Sequence, residues 1–374
     1  MDASIIPYHT NTTDLVNIKQ ERDKSLRPTI QKTGFLSLLA LAALAGCGPK
    51  KEAEPDANGV TVVRLAFFPN VTHGVALVGT GKGFFAGALG AKVKIEEQIF
   101  TAGPSEIEAV FGDQVDIGYV GPGPAVNGFV KSQGKALRIV AGACSGGAAL
   151  VVRSDAGIAD VKALAGKRVG VPQTGGTQDI SLRHALQQAQ LASTDKGGSV
   201  NVLPNAPADT LTLFVKKDLD AAWMPEPWVS RLVKEGGGKI LNDERDLWPG
   251  RQFATTVVIV RKRFLDAHPD IVQKFLAAHV AAADFIKAHP EEAAKVIGDR
   301  IKALTGKALP ADVLQQALSR TNYTYDPLKE TVLTFADWSK ALGYSKEDRS
   351  SLSDLFDLKP LNTALTASGK PALP

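Results

Sequence analysis

The chain has 374 residues, of which 44% are hydrophobic and 22% charged, and its formal net charge is +4. At roughly 100–200 residues per domain, this length predicts two domains, and the apolar fraction excludes a chain that is disordered throughout. The two cysteines exclude a disulfide framework and a thiolate zinc cluster. The small net charge, the lack of a long basic block and the 6% of aromatic residues argue against nucleic-acid binding.

The N-terminal region has the pattern of a secretory signal. Residues 34–46 form a run of thirteen uncharged residues. This is shorter than the about 20 residues that span a bilayer, but it has the length and flanks of a signal-peptide core. The run ends in Leu44-Ala45-Gly46-Cys47, which resembles the bacterial lipobox, in which the cysteine is acylated and becomes the new N-terminus.

Residues 1–47 are therefore predicted to be a lipoprotein signal peptide with a long polar lead, and residues 48–59 a flexible tether. Two alternatives stay open: a buried apolar helix with an incidental cysteine, and a translation start further downstream, near Leu26. The signal predicts an exported protein that a lipid on Cys47 anchors to the cell membrane, facing the periplasm or the extracellular side. Cys144 would then have no disulfide partner.

The first half of the mature chain alternates runs rich in β-branched residues with helical patterns. Strands are predicted at residues 60–68, 91–100, 115–120, 137–141 and 148–153. Helices are predicted at residues 75–85, 105–111 and 122–130. Ser105 and Glu108 have the spacing of a capping box. Pro122 is predicted to lie in the first turn of its helix, where proline is common.

The same alternation continues with new elements. Helices are predicted at residues 159–164, 177–190 and 208–215, and strands at 168–172, 200–203, 220–223 and 255–260. After the last strand the chain is predicted to be almost all helical, with helices at 270–288 and 291–304. Strands that alternate with helices predict parallel sheets with βαβ crossovers.

Five short segments carry a resemblance to known proteins. They are Phe84-Phe85, Phe100 to Pro104 (FTAGP), Asp116 to Pro124 (DIGYVGPGP), Leu164 to Val169 (LAGKRV) and Trp223 to Trp228 (WMPEPW). In this order, and with a lipobox in front, they make residues 60–345 resemble the substrate-binding lipoproteins of ABC importers, in the nitrate, sulfonate and taurine branch.

The resemblance implies the type II periplasmic-binding-protein fold: two α/β lobes, each a mostly parallel sheet flanked by helices, joined by two crossover strands. Lobe 1 would comprise residues 60–148 and 255–374, and lobe 2 residues 149–254, with crossings near 149–152 and 254–257. The ligand would bind in the cleft and close the lobes by a hinge motion. The implied partners of this monomer are a small-molecule ligand, the membrane and an ABC permease with its ATPase. No cofactor and no nucleic acid is implied.

The site is predicted from the loops at which helices begin. Ligands of open parallel sheets bind outside the carboxyl ends of the strands, and such loops are predicted at residues 101–105, 119–124 and 173–179. A fourth loop, 144–147, follows a strand near a crossing. Free N–H groups at helix N-termini suit an anion. None of these loops contains Lys or Arg, so neutral donors are expected. The alternative for each glycine loop is a plain turn.

The candidate ligand-binding residues come from these loops, from the end of the first strand and from the WMPEPW segment. They are Asn70, His73, Thr101, Gly103, Tyr119, Gly121, Pro122, Ser145, Gly146, Thr174, Gly175, Thr177, Gln178, Trp223 and Glu226. Cys144 is expected to be a small buried side chain rather than a reactive thiol.

The WMPEPW segment is predicted to be a loop, because proline cannot sit in a central ladder. Trp223 would pack against the ligand body, and Glu226 would receive a cationic group, which a neighbouring aromatic ring also favours. The alternative is that Glu226 pairs with Arg231 and that the tryptophans belong to the core. A carboxylate in the site would suit taurine or a cationic heterocycle better than nitrate.

Catalytic and metal-binding motifs are absent from the sequence, which has no Gly-x-Ser-x-Gly, His-Glu-x-x-His, Cys-x-x-Cys or phosphate-loop pattern. The leading hypothesis is a receptor, not an enzyme, that delivers a small organic oxyanion (an aliphatic sulfonate, taurine or a nitrate-like ion) to an ABC permease. One alternative is a receptor for a nitrogen heterocycle such as a thiamine or riboflavin precursor. Others are an enzyme that uses Glu226 and His73 as an acid–base pair, and a sensor domain.

Overall fold

The computed structural model describes residues 59–374, and all of them belong to one compact unit. The predicted signal peptide, Cys47 and nearly all of the predicted tether lie outside the described residues. Within the described range, no helix is long and apolar enough to cross a membrane.

Strands and helices alternate along most of this range. The strands are β1 (Thr61–Phe67), β2 (Val93–Ile99), β3 (Ile117–Val120), β4 (Leu137–Gly146), β5 (Ala148–Arg153), β6 (Arg168–Val171), β7 (Asn201–Pro204), β8 (Ala221–Pro225), β9 (Gly238–Asp243), β10 (Ala254–Arg261) and β11 (Thr321–Tyr323). The helices are α1 (Gly74–Gly81), α2 (Phe84–Leu89), α3 (Gly103–Phe111), α4 (Pro122–Lys131), α5 (Thr177–Gln188), α6 (Pro207–Val215), α7 (Trp228–Lys234), α8 (Lys262–Ala267), α9 (Pro269–Ala288), α10 (Pro290–Thr305), α11 (Ala311–Arg320), α12 (Lys329–Ala341) and α13 (Lys359–Ala367).

The strands form two sheets, ordered β11-β4-β10-β3-β1-β2 and β7-β6-β8-β5-β9. Each has a parallel core of three strands, β2-β1-β3 or β7-β6-β8, which continues into antiparallel neighbours. The predicted α/β fold with two sheets is confirmed. The sheets are mixed rather than mostly parallel, because β5 and β10 run against the strands beside them.

The chain passes between the sheets twice. It enters the second sheet between Gly146 and Ala148 and returns to the first between Asp243 and Ala254. Gly146 and Gly147 have φ values of 74° and 75°, which glycine adopts with little strain because it has no Cβ. The strands between the two passages form the second sheet, and all other strands form the first.

Each sheet has an equivalent Asp–Arg pair that joins two neighbouring parallel strands. Asp116, just before β3, accepts from the backbone N–H of Arg64 at 2.9 Å and from its Nε at 2.8 Å. Asp220, just before β8, accepts from the backbone N–H of Arg168 at 2.9 Å and from its Nε at 3.1 Å. The partners are 52 residues apart in both pairs. The two sheets therefore share one β–α–β–α–β plan.

Helices cover both faces of each sheet. The first sheet packs against α1, α2 and α9 on one face and against α3, α4 and α12 on the other. The second sheet packs against α5 on one face and against α6 and α7 on the other. The carboxyl ends of the parallel strands, where α3, α4 and α5 begin, are therefore where loops from the two sheets meet.

Two predicted helices differ from the structure. The predicted helix 75–85 is two helices, α1 and α2, separated at Gly83, whose φ of 75° ends regular helix geometry. The predicted helix 159–164 is a 3₁₀ turn, Val161–Leu164, which the side chain of Asp160 caps. Short turns of this kind give the same local pattern as the start of an α-helix.

Strand ends also differ. The sequence does not predict β9 or the three-residue β11. Strand β4 continues to Gly146, so the predicted loop 144–147 is mostly strand, paired with β10. Strand β8 continues to Pro225, which pairs with Ala148, so the WMPEPW segment begins as a strand and not as a loop. Proline is tolerated because it is the last residue of the strand.

Candidate functional site

Loops from both sheets surround one small cavity. Besides these loops, its lining includes Pro225 at the end of β8 and Thr255 and Thr256 in β10. The predicted candidates that it brings together are Asn70, His73, Thr101, Gly103, Gly121, Thr177 and Gln178. The space open to the centre of a water molecule is about 30 Å³, enough for about two or three waters. The cavity therefore takes a small polar group, not a whole drug-sized ligand.

Three helices begin at this cavity: α3, α4 and α5. The first N–H groups of a helix have no partner within it and carry partial positive charge. Pro122 and Pro124 remove two such donors from α4, and Pro104 removes one from α3. The first turn of α5, from Thr177 onward, contains no proline. This helix end therefore keeps more free N–H donors than those of α3 and α4, and the carboxylate of Asp179 in the same turn is paired with Arg183 at 2.7 Å.

Two threonines that line the cavity have buried hydroxyl groups without a hydrogen-bond partner. Thr177 and Thr256 are 3% and 1% exposed, both line the cavity, and neither Oγ1 has a hydrogen-bond partner among the described residues. Leaving a buried hydroxyl unpaired costs about 1–3 kcal/mol. A ligand that accepts from both hydroxyls would remove this penalty, one from each side of the cavity.

His73 is held as a neutral donor. Its Nδ1 accepts the backbone N–H of Phe68 at 3.2 Å, and its ring stacks on that of Phe68 at 4.3 Å between centroids. Burial lowers the pKa of His73 to about 3. With Nδ1 occupied as an acceptor, the proton of the neutral ring lies on Nε2.

Asn70 connects the two sheets. Its Oδ1 accepts from Nε1 of Trp228, the first residue of α7, at 3.0 Å. Because the oxygen is used in this way, the NH₂ group of Asn70 is the part of its side chain left to bind a ligand. Among the described residues, the cavity lining contains no Asp, Glu, Lys or Arg. Any anion here would therefore be bound by neutral donors.

Glycines let the two sides of the cavity meet. A Cβ on Gly121 would stand 2.2 Å from Oγ1 of Thr177, so only glycine fits where the start of α4 faces that of α5. Nearby, Oγ of Ser105 donates to Oε1 of Gln173 at 3.0 Å. These contacts join the half of the chain around the first sheet to the half around the second.

Tyr119 and Pro122 do not line the cavity. Oη of Tyr119 lies 2.8 Å from Nδ1 of His279 in α9, within the core of the first sheet. Burial raises the pKa of the phenol and lowers the pKa of His279 to about 4. Pro122 is the buried first residue of α4. The loop that carries these residues was predicted correctly as a helix start, but only Gly121 and Pro124 of it reach the cavity.

Ser145 and Gly146 hold the passage between the sheets. Ser145 Oγ accepts the N–H of Phe253 at 3.3 Å, and the carbonyl of Gly146 accepts the hydroxyl of Thr255. Neither lines the cavity, because both are strand residues paired with the segment that returns to the first sheet. Cys144 beside them is buried, and burial raises the pKa of its thiol.

Trp223 lies in the core of the second sheet. Its Nε1 donates to Oε2 of Glu244 at 2.7 Å. Oε1 of the same carboxyl group accepts from Ser181 Oγ at 2.6 Å, and burial raises the pKa of Glu244 to about 7. Trp223 was predicted to pack against the ligand body, but it does not line the cavity. Thr174 and Gly175 line a groove next to the cavity instead of the cavity itself.

Glu226 is buried outside the cavity. Its carboxylate accepts from the N–H and from the Oγ of Ser230, both at 3.0 Å, and Arg320 Nε lies 3.5 Å from its Oε1. Burial raises the pKa of Glu226 to about 7. Arg231 pairs with Glu235 at 2.7 Å, so the alternative in which Glu226 pairs with Arg231 is not the arrangement found. A buried carboxylate that accepts from Ser230 and lies beside Arg320 is not available for a ligand cation.

Thr72, Thr255 and Thr256 also line the cavity, although no sequence motif predicts a role for them in the site. The last two begin the run TTVVIV of β10, which the pattern predicts only as a strand. Two hydroxyls at one end of an otherwise apolar buried strand are the signal that could have identified them, because buried polar groups need partners.

Residues 56–299 match the sequence profile of the NMT1-like family. A protein of Bacillus subtilis named as an aliphatic sulfonates-binding protein is 30% identical over 310 residues, which cover 80% of this chain and 85% of that protein. The family match covers β1 to β10 and every residue that lines the cavity.

Solved structures share the fold. The alkanesulfonate-binding protein SsuA of Xanthomonas axonopodis pv. citri bound to MOPS has a TM-score of 0.65 at 21% identity, covering 77% of this chain and 95% of that one. The periplasmic nitrate-binding protein NrtA of Synechocystis PCC 6803 has a TM-score of 0.68 at 15% identity, covering 82% and 89%. The desulfurization enzyme DSZB also resembles this chain, with a TM-score of 0.57 at 15% identity, covering 82% and 99%.

Proposed function

We propose that this chain, which belongs to the NMT1-like family, is an extracytoplasmic receptor for a small organic oxyanion. It would deliver the anion (an aliphatic sulfonate, taurine or a nitrate-like ion) to the permease of an ABC importer. The observation that carries the proposal is the pair of unpartnered hydroxyls of Thr177 and Thr256 in a cavity without charged side chains. An oxyanion has several acceptor oxygens and can accept a hydrogen bond from each neutral donor.

The number of donors suits micromolar binding. A hydrogen bond to a charged group contributes roughly 1.5–3 kcal/mol, and a micromolar ligand needs about 8 kcal/mol. The hydroxyls of Thr177 and Thr256, the Nε2–H of His73, the NH₂ of Asn70 and the free N–H groups of α5 together reach that sum. The names of the Bacillus relative and of the Xanthomonas structure support a sulfonate head group.

A binding role is proposed rather than catalysis. A hydrolase or desulfurase on this scaffold needs a general base near the ligand, and His73 already uses Nδ1 to accept from Phe68. Glu226, on which both the enzyme and the heterocycle alternatives depend, is buried outside the cavity. Recovery of unchanged ligand after prolonged incubation is expected, and a released sulfite or sulfate would contradict the receptor.

Export and anchoring complete the proposal. We propose that Cys47 is lipidated, that residues 48–59 tether a monomer to the membrane, and that the segments 60–148 with 255–374, and 149–254, move as two lobes. Intact-mass analysis of membrane-bound protein should give a lipid-modified chain that begins at Cys47. An unmodified chain that begins upstream would contradict the anchor.

Binding is tested by calorimetry on the mature chain with methanesulfonate, ethanesulfonate, taurine, nitrate and sulfate. Thr177→Val and Thr256→Val should each weaken sulfonate binding about tenfold or more, since each removes one hydrogen bond to a charge. Thr363→Val is the matched control, because Thr363 is exposed on α13 and far along the chain from the cavity residues. No binding of any oxyanion, or equal losses in all three variants, would contradict the proposal.

A further inference from the structure

One side-chain hydrogen bond joins the two proposed lobes directly behind the first turn of α5. Tyr344, three residues after the end of α12 in lobe 1, donates through its hydroxyl to Oδ2 of Asp179 in lobe 2 at 2.5 Å. Asp179 lies in that first turn and is fully buried. The distance is typical of a hydroxyl that donates to a charged carboxylate, and such a bond is roughly twice as strong as one between neutral groups.

Asp179 is fixed to lobe 2. Its Oδ1 accepts from Nε of Arg183 at 2.7 Å. Arg183 in turn donates to Oγ of Ser193 at 2.6 Å and to Oδ2 of Asp195 at 3.0 Å. The carboxylate of Asp179 therefore stays with α5 and cannot follow Tyr344 when the lobes part.

Tyr344 is fixed to lobe 1. Its backbone N–H donates to the carbonyl of Ser339 in α12 at 2.8 Å, and α12 packs on the first sheet through Val332 and Ala336. Burial and the neighbouring Asp179 carboxylate raise the pKa of Tyr344, so its hydroxyl remains the donor. The bond thus connects two firmly held groups, one in each lobe, and must break when the lobes move apart.

Asp179 also shapes the loop that lines the cavity. Its Oδ2 accepts the backbone N–H of Gly175 at 2.8 Å, where the chain turns with a φ of 74°. This bond fixes the turn that leads into residues 176–178, all of which line the cavity. The carboxylate that Tyr344 contacts is therefore the group that positions the first N–H donors of α5.

The charge of Asp179 gives its partners a further role. A carboxylate in the first turn of α5 repels an anion at the same helix end. Arg183 supplies one positive charge, while the hydroxyl of Tyr344 and the N–H of Gly175 donate to the other oxygen. The negative charge is thus best compensated in the arrangement that includes Tyr344, and this is the arrangement that suits a bound anion.

A second contact between the proposed lobes lies on the same helix. The ring of Trp338 in α12 stacks on the ring of His184 in α5, with 4.0 Å between centroids and 12° between planes. Trp338 loses this contact when the lobes part. Tryptophan fluorescence therefore reports on closure.

We infer that Tyr344 is a positioning residue for the anion site, and that its bond to Asp179 is a latch that forms as the lobes close over the ligand. The inference rests on the proposed function and on the proposed two-lobe motion. Because the latch exists only in the closed form, it stabilises that form relative to the open one. It should slow the release of the ligand and leave the rate of association unchanged.

Stopped-flow tryptophan fluorescence on the mature chain measures association and release separately, with methanesulfonate, taurine and nitrate as ligands. Tyr344→Phe removes only the hydroxyl. Its release rate should rise about tenfold or more, since a hydrogen bond to a charge is lost, while the association rate constant should change less than about twofold. Tyr325→Phe is the matched control, because Tyr325 is half-buried against the core of the first sheet, and it should release the ligand at the natural rate.

Two further measurements separate a latch from a structural contact. Tyr344→Phe should leave the urea midpoint of the ligand-free chain unchanged, because the open form does not make the bond. Asp179→Asn keeps the shape of the side chain but removes its charge. Adding Tyr344→Phe to Asp179→Asn should therefore raise the release rate by about threefold or less, since effects are not additive when two residues share one bond.

An unchanged release rate in Tyr344→Phe, a loss of affinity through slower association, or a full tenfold effect in the Asp179→Asn background would overturn the latch and leave the receptor standing. A lower urea midpoint with natural release kinetics would show that the contact is only structural, and would also overturn it. If none of the three ions bound to the natural chain, the proposed function would fail and the latch with it.

Discussion

Replacing Gly123 with valine should weaken ligand binding without touching the ligand. Gly123 lies in the first turn of α4, does not line the cavity, and faces α5 across the seam between the two halves of the chain. A Cβ at this position would stand 2.7 Å from Cδ1 of Ile180 and 3.3 Å from Cα of Thr177, whereas ordinary contact begins at 3.4 Å. The closed arrangement of α4 and α5 therefore leaves no room for a side chain.

The free-energy cost of the Gly123→Val substitution depends on which of the contacting atoms can move. The end of the Ile180 side chain can shift, but Cα of Thr177 cannot move without α5. Extra bulk in a packed contact costs typically about 1–3 kcal/mol. In the proposed two-lobe motion, opening the cleft would relieve the clash, so this cost would fall on closure and not on folding. Because the closed form would be the one that holds the ligand, Kd should rise by the factor that corresponds to this free energy, roughly 5- to 150-fold.

Calorimetry with the tightest sulfonate should show affinity falling from glycine to Gly123→Ala to Gly123→Val. Urea unfolding of the ligand-free chain should change by less than about 1 kcal/mol, and small-angle scattering should show that ligand no longer compacts Gly123→Val. Gly87→Val is the control, since no atom lies within 4 Å of a Cβ at Gly87. If Gly123→Val bound as tightly as the natural chain, or lost stability without losing affinity, closure would not depend on this contact.

Three further predictions concern buried charge. Asp116→Ala should lower the unfolding free energy by about 3–5 kcal/mol, since it removes a fully buried carboxylate that pairs with Arg64 and with the buried Arg261. Asp220→Ala, whose arginine partner is 39% exposed, should cost about 1–2 kcal/mol, and equal losses in urea unfolding would contradict the reasoning. The pKa of Glu244 is raised to about 7, so the stability it contributes is full below about pH 4.5 and is lost as the pH rises through 7. Glu244→Gln should therefore reduce the fall in unfolding free energy between about pH 5 and 8, while an unchanged curve would show that Glu244 does not titrate there. His73, with its pKa lowered to about 3, stays neutral, so Kd for methanesulfonate should be constant from about pH 5 to 9; tightening below about pH 6.5 would show that His73 binds as a cation.

Local pattern is enough for most elements of this fold. Alternating β-rich runs and helical stretches predict the parallel cores, because their periodicity reflects which face each residue buries. Strand β11 cannot be predicted in this way, because three residues are too few to show a periodicity and the strand is defined by its pairing with β4, a tertiary contact. The antiparallel direction of β10 is likewise set by the passage back from the second sheet, which no local pattern encodes.

The site residues likewise differ in whether a local sequence pattern or only a tertiary contact identifies them. Gly103, Gly121 and Thr177 were predicted because glycine, proline and hydroxyl residues at helix starts are visible in the sequence. Thr256 was missed because it meets Thr177 only after the chain has passed through the second sheet and returned. Glu226 was predicted to contact the ligand because it lies in a proline-rich segment beside aromatic residues. In the structure its partners are the N–H and hydroxyl of Ser230, in the first turn of α7.

A cavity of neutral donors has a consequence for selectivity that a cavity with an arginine would not have. Burying an anion without a counter-charge is costly, and the electrostatic part of that cost grows with the square of the charge. In the proposed site, hydrogen bonds from the hydroxyls of Thr177 and Thr256 and from neutral His73 would offset a larger share of this cost for one negative charge than for two. We therefore expect the proposed receptor to bind monoanions such as sulfonates and nitrate more tightly than the dianions sulfate and hydrogen phosphate, and competition calorimetry with sulfate checks this order.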